Sequence, residues 1–208
     1  MNKINYQKIL EKTLAEIASV NTTPKLLLHS CCAPCSSYVL EYLSDYFEIT
    51  LLYYNPNIFP KAEFDYRLNE QRRLISELTV RNPIRLIEGR YEPQEFFDIA
   101  KGLEKIPEGG ERCFKCYRLR MEEAASVAVK EGCDYFTTTL SISPLKNAEK
   151  INSIGEELEI VYGIKHLTSD FKKNDGYKRS IELSKEHNLY RQNYCGCIYS
   201  KPASTDSK

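Results

Sequence analysis

From Lys25 onward, short apolar runs and longer amphipathic stretches take turns along the chain, and this alternation restricts the possible folds more than any other feature. Lys25-Leu-Leu-Leu-His-Ser-Cys31 has the length and character of a buried strand, and Pro34 just beyond it suits the first turn of a helix. The succession then repeats. A strand is expected at Glu48–Tyr54, a helix from Pro60 to about Leu78, a strand at Ile84–Glu88 and a helix at Pro93–Leu103. Another helix runs from about Arg112 to a stop at Gly132, before a strand at Tyr135–Leu140. Strands separated by helices form βαβ units, and such units build a parallel sheet.

Ile4, Ile9, Leu10, Leu14 and Ile17 recur near helical spacing, which adds an N-terminal helix; helical patterns also cover Lys146 to about Glu157 and Gly176–His187. The expected fold is α/β: a single-domain Rossmann-like parallel sheet over residues 1–200 with helices on both faces, and ligands at the carboxyl edge of the strands. The polar tail 201–208 is expected to be disordered.

Hydrophobic residues at 42% and charged residues at 28% are ordinary for a globular protein, so this core does not depend on disulfide staples. No apolar run approaches the roughly 20 residues of a membrane span. The stretch 1–21 carries Glu11 and Glu16 and lacks the compact apolar core of a signal peptide, so a cytoplasmic location is expected. In a reducing compartment eight cysteines point to metal ligation or redox chemistry.

All of them except Cys133 fall into compact groups: Cys31-Cys32-Ala-Pro-Cys35, Cys113-Phe-Lys-Cys116 and Cys195-Gly-Cys197. Cys133 reads as a small core residue. The first group lies where the first strand hands over to its helix, at the edge where open parallel sheets bind ligands, so the metal site is expected there. Cys32 and Cys35, like Cys113 and Cys116, are three apart at a helix start, so each pair projects its sulfurs to one side. Helix-start N–H groups favour the thiolates that metals require.

Adjacent Cys31 and Cys32 suit the separate corners of an iron-sulfur cluster better than one small ion. Two alternatives stand beside that reading: zinc held by Cys32, Cys35, Cys113 and Cys116, which would make a zinc-stabilised binding module, and a thiol-disulfide oxidoreductase built on Cys32-Ala-Pro-Cys35. Cys195 and Cys197 read either as an easily reduced disulfide or as further metal ligands. No glycine-rich phosphate loop follows the first strand, and His29 reads as structural.

Lysine plus arginine count 29, as do aspartate plus glutamate, so net charge gives no reason to expect nucleic acid. Two local basic clusters, Arg112, Lys115, Arg118 and Arg120, then Lys172, Lys173, Lys178 and Arg179, read first as solvated helix faces.

Five separated motifs nevertheless occur together: His29-Ser-Cys-Cys-Ala-Pro-Cys35; Tyr54-Asn-Pro-Asn-Ile58 with Pro60, Glu63 and Arg67; Cys113-Phe-Lys-Cys116; Thr138-Thr-Leu140 leading to Ser143-Pro-Leu-Lys-Asn147; and Tyr194-Cys-Gly-Cys197. In this combination the chain resembles the cobalamin-independent epoxyqueuosine reductases from about Lys25 to Ser200. The resemblance implies reduction of epoxyqueuosine to queuosine at the wobble position of tRNA with a GUN anticodon, the last step of queuosine biosynthesis, using an unidentified electron donor and no membrane. It implies a 4Fe-4S cluster on Cys31, Cys32, Cys113 and Cys116, and a redox-active pair in Cys195 and Cys197. It also implies an additional iron ion, for which Cys35 is the candidate ligand. Tyr117 or Asp134 is expected as proton donor, Asn55 and Asn57 as readers of substrate hydroxyls or a base edge, Lys146 as a phosphate ligand, and Tyr117 and Tyr177 as platforms for splayed bases.

Overall fold

The computed structural model describes residues 4–20 and 22–201. The expected tail therefore lies, apart from Lys201, outside the described residues. A five-stranded sheet forms in the order β3-β2-β1-β4-β5, from β1 (Lys25–Ser30), β2 (Glu48–Tyr53), β3 (Ile84–Glu88), β4 (Tyr135–Thr138) and β5 (Lys165–His166). All neighbouring strands are parallel, with Leu28 opposite Leu51 on one side and Thr137 on the other. The helices are α1 (Tyr6–Ser19), α2 (Ala33–Leu43), α3 (Lys61–Glu77), α4 (Pro93–Ala100), α5 (Glu111–Lys130), α6 (Ala148–Tyr162) and α7 (Gly176–Glu186).

Side chains that alternate along β1 build the core on both faces of the sheet. Leu26 and Leu28 join Leu10 and Leu14 of α1, Leu40 and Leu43 of α2 and Leu74 of α3. Leu27 turns to the other face, where Met121 and Ala125 of α5 and Ile151 and Leu158 of α6 meet it. Leu26, Leu27 and Leu28 are all fully buried, each contributing about 1.5–3 kcal/mol through removal from water. A strand buried on both faces is a near-continuous apolar run, which is why Lys25–Ser30 was readable as one.

α4 stops at Ala100, short of the expected Leu103, and two further elements depart from their sequence expectation for reasons the structure shows. α6 continues past Glu157 to Tyr162 and ends on Gly163, whose left-handed backbone (φ 65°) lets its N–H reach the Glu159 carbonyl. Ile160 and Val161 in that last turn are 85% and 70% exposed, so the apolar rhythm that normally marks a helix is lost there. β4 stops at Thr138 because the Thr138 hydroxyl accepts the Leu140 N–H and opens a 3-10 turn over Thr139–Ile142.

α6 rests on β5 at Gly155, where a Cβ would come within 2.3–2.4 Å of the His166 ring. That ring is buried and tilts against Phe136 with a centroid separation of 5.2 Å, so it has little room to withdraw. Gly155→Ala is expected to destabilise the fold by about 1–3 kcal/mol from overpacking, against a helix-propensity gain of roughly 1 kcal/mol. A lower urea midpoint with an unchanged slope is the readout.

Candidate metal centre

In the observed strand order β1 lies between β2, reached through α2, and β4, reached from the far edge; the crevice beyond the carboxyl ends of β1 and β4 is the usual ligand position in open α/β sheets. The chain leaves β1 at Ser30 and enters α2 at Ala33, so Cys31 and Cys32 are the turn between them and Cys35 sits in the first turn of the helix. A cysteine group thus emerges at the carboxyl edge.

Neutral hydrogen bonds fix this turn. Gln71 of α3 accepts the hydroxyls of Ser30 and Ser36, both at 2.8 Å, and Asn55 donates its amide to the Ser30 carbonyl at 2.8 Å. His29 is fully buried, and burial first, with Arg120 second, pushes it down to about 4, so it is neutral at pH 7. Its Nε2 lies 3.0 Å from the Tyr54 carbonyl, which only accepts, so Nε2 carries the proton. Nδ1, at 2.8 Å, then accepts the Thr138 hydroxyl. The ring ties together the ends of β1, β2 and β4, the structural role expected of it.

Among the described residues, the Sγ atoms of Cys31, Cys32 and Cys35 lie within 4.8 Å of one another, with Cys31 and Cys32 3.8 Å apart. Hydrogen bonds from Cys32 and Cys35 hold the Cys31 thiol well below the usual range, whereas the bond to Cys31 pushes Cys32 up to about 12 and Cys35 likewise upward. Three thiolates this close repel, so protons occupy the positions that a soft cation would take. Cys31 and Cys35 open onto a cavity of about 350 Å³, also lined by Arg67, Lys146, Tyr177, Gln192, Tyr194 and Cys195.

Cys113 and Cys116, on the first turns of α5, line an adjoining small cavity with Cys195, Cys197, Arg120 and Lys146. Burial pushes Cys116 up to about 11 and raises Cys197. Cys195 and Lys146 stand in the wall common to both cavities, and the Lys146 Nζ donates to the Cys195 Sγ at 3.3 Å. Burial alone would work against the Lys146 ammonium, yet Cys195 and Tyr117 beside it raise its pKa overall. Arg67 of α3 is 1% exposed, pairs with Glu63 at 2.7 Å and donates to the Cys195 carbonyl at 3.2 Å. It therefore clamps the Cys-Gly-Cys segment onto α3. Gly196 is required at the crossing: its φ is 104°, and a Cβ would lie 2.8 Å from Ile58 and 3.1 Å from the Arg67 guanidinium.

The match to known proteins covers this whole assembly. Residues 26–203 fit the model of a family described as "Epoxyqueuosine reductase QueH". The chain belongs to that family. A protein named epoxyqueuosine reductase QueH from Staphylococcus epidermidis is 44% identical over 202 residues, covering 95% of this chain and 85% of its own. One of the same name from Streptococcus pyogenes is 42% identical over 200 residues (95% and 78%), and one from Thermotoga maritima 34% over 178 residues (84% and 89%).

Several expected residues of this QueH-family chain stand elsewhere than anticipated. The Asp134 carboxylate accepts the Lys25 N–H at 2.8 Å, at the amino end of β1, so it lies on the opposite edge of the sheet from the cysteines and cannot serve them as proton donor. Asn55 and Asn57 are fully buried; the Asn55 amide donates to the Ser30 carbonyl, and neither polar side-chain atom of Asn57 has a hydrogen-bond partner among the described residues. Tyr117, 1% exposed, is no stacking platform, whereas Tyr177 lines the large cavity. Lys146 turns to Cys195 rather than outward to a phosphate. Cys133 is half-buried at the rim of the core rather than within it.

The first basic cluster divides in two. Lys115 and Arg118 face solvent near Glu111 and Glu157, while Arg112 and Arg120 are 1% exposed. Arg112 donates to the carbonyls of Leu103, Glu104 and Ile106 and so fastens the loop ahead of α5. Spacing held the signal: Arg112, Cys116 and Arg120 fall four apart on one helix face. Gln192, in the large cavity with a buried Oε1 that has no partner, was not singled out from the sequence, and no motif flags it.

Proposed function

We propose that this chain reduces the epoxide of epoxyqueuosine in tRNA to the alkene of queuosine, at the wobble position of a GUN anticodon. Its family membership, joined to the close Cys31, Cys32 and Cys35 sulfurs and to an adjoining cavity lined by the other two cysteine groups, carries the reading. The donor set fits an iron-sulfur centre: soft sulfur ligands in a largely buried site, with a buried cation at Arg120 and a part-buried one at Lys146 ready to offset an anionic cluster. Cys31, Cys32, Cys113 and Cys116 would hold a 4Fe-4S cluster, and Cys35 would ligate an additional iron. When bound, the metals supply low-potential electrons and a Lewis acid for the epoxide oxygen.

The chain's own side chains do the rest. Opening an epoxide to an alkene consumes two electrons and two protons and releases water; oxidation of the Cys195/Cys197 dithiol to a disulfide releases the same two electrons and two protons. An external donor must then reduce that disulfide. Lys146 takes the proton-donor role, because it lines the large cavity and donates toward Cys195. The cavity is of a size for one nucleoside, with Tyr177 and Tyr194 offering aromatic surface to a splayed base. A broad groove lined by Lys172 and Lys173 adjoins it through Pro144 and Leu145 and offers the phosphate backbone a path, so binding should weaken with salt. Lys172 there is paired with Asp170. Among the described residues no helix is long and apolar enough to cross a membrane.

The test is anaerobic incubation of metal-loaded protein with epoxyqueuosine-containing tRNA and a low-potential donor, without cobalamin, followed by nuclease digestion and mass measurement. The released nucleoside is expected to be one oxygen lighter. Epoxyqueuosine that persists beside a reduced cluster and bound tRNA would defeat the assignment.

A further inference from the structure

Arg120 borders the cysteine site from within the core, and among the described residues it has no carboxylate partner. It projects from α5 into the core, 1% exposed, and lines the small cavity with Cys113, Cys116, Cys195 and Cys197. Its Nε is spent on the Cys116 carbonyl at 3.1 Å. Both terminal nitrogens are buried and have no hydrogen-bond partner among the described residues. The ionisable groups that face it are Cys116, Cys195, Cys31 and Tyr117, none of them a carboxylate. Arg67 differs, since Glu63 neutralises it, and Arg112 differs too, since three backbone carbonyls occupy it.

A guanidinium cannot shed its proton at any working pH, and leaving it buried without a partner is strongly unfavourable. The site must therefore bring negative charge to those two free arms. Thiolate sulfurs held by iron satisfy this requirement; neutral thiols do not.

We propose that Arg120 is a positioning residue that raises the reduction potential of the cysteine-bound cluster, its free guanidinium arms donating to sulfur and placing a fixed positive charge beside the centre. The inference rests on the iron-sulfur reading above. Net charge and hydrogen bonds to sulfur are among the main determinants of a cluster's potential, and a cation favours the reduced, more negative state. Such a charge eases electron entry from the Cys195/Cys197 pair, whose first member faces the same arginine.

The experiment compares wild type with Arg120→Gln, which removes the charge, and Arg120→Lys, which keeps it. Each is reconstituted anaerobically, assayed for iron and sulfide, then titrated spectroelectrochemically without tRNA. Arg120→Gln is expected to lower the reduced-to-oxidised ratio at a given potential at least tenfold, about 59 mV for a one-electron couple, with Arg120→Lys remaining within about threefold of wild type. A loaded Arg120→Gln whose ratio stays within about twofold of wild type overturns the inference and leaves the proposed reaction standing. Where Arg120→Gln takes up no cluster, Arg120→Lys decides: a loaded centre with near-wild-type potential supports the role of charge, and an empty one makes Arg120 a fold element and sinks the idea. A wild type that assembles no cluster overturns the iron-sulfur reading itself, a result visible before any variant is made.

Discussion

Serine at Cys31 is expected to cost the protein most of its acid-labile sulfide and to reduce epoxide turnover by at least about 100-fold. Cys31 is the group on which the first cysteine cluster depends: its sulfur lies 3.8 Å from that of Cys32 and within 4.8 Å of that of Cys35, and it opens onto the large cavity. A serine hydroxyl is a hard ligand of high pKa and cannot replace a soft thiolate ligand. Cys116→Ser should act in the same direction, through the second group. Cys35→Ser should spare the sulfide and lose only the additional iron. Cys133→Ser is the control: Cys133 follows α5 near the Asp134 contact to Lys25, at the other edge of the sheet, so both sulfide and turnover should persist. Iron and sulfide assays on anaerobically purified protein decide the matter. A wild type that is colourless, free of sulfide and loaded with stoichiometric zinc would end the iron-sulfur reading and return zinc to first place.

The parallel sheet was legible because its signals are local. Lys25–Ser30 and Ile84–Glu88 are apolar runs of strand length, and the placing of Cys31 and Cys32 directly after β1 followed from Pro34 starting a helix. β5 was not legible, since Lys165–His166 is only two residues long and exists through pairing with Tyr135 and Phe136. Burial of charge was the larger blind spot. An arginine reads as a surface residue by default, yet Arg67, Arg112 and Arg120 are among the largest fully buried side chains. Helical phase alone separates Arg112 and Arg120 from Lys115 and Arg118, because the former share the stripe of Cys116. Asp134 shows the converse error: nearness in sequence to Cys133 suggested chemistry, but a strand carries its two ends to opposite edges of a sheet.

Replacing Cys197 with serine is expected to stop turnover at no more than one equivalent of tRNA while leaving the visible absorption of the centre largely intact. The Cys195-Gly-Cys197 segment is held by Arg67 of α3 and by the bond from the Phe59 N–H to the Gly196 carbonyl at 3.1 Å. Within the pair the two thiols differ. Cys195 borders the large cavity and receives the Lys146 ammonium, whereas Cys197 is 7% exposed, packed with Phe96, Ala100 and Cys116, and burial raises its pKa. An incoming dithiol reductant can reach only the member that borders the open cavity, so it should attack Cys195 and release Cys197 as a thiol, and the reductant's own second thiol should then resolve the mixed disulfide. Without Cys197 no intramolecular thiol can displace such an adduct, so treatment with a small disulfide reagent should leave one half of it as a persistent mixed disulfide on Cys195, the other half departing as a thiol, and mass measurement of the intact protein should detect it. Cys195→Ser should give no such adduct and no multiple turnover. Both variants should take up iron and sulfide in wild-type amounts, since their sulfurs are electron donors in this scheme. Bleaching of the centre in either variant would instead make that cysteine a ligand, and trapping on Cys197 in the Cys195→Ser protein would reverse the order of the two.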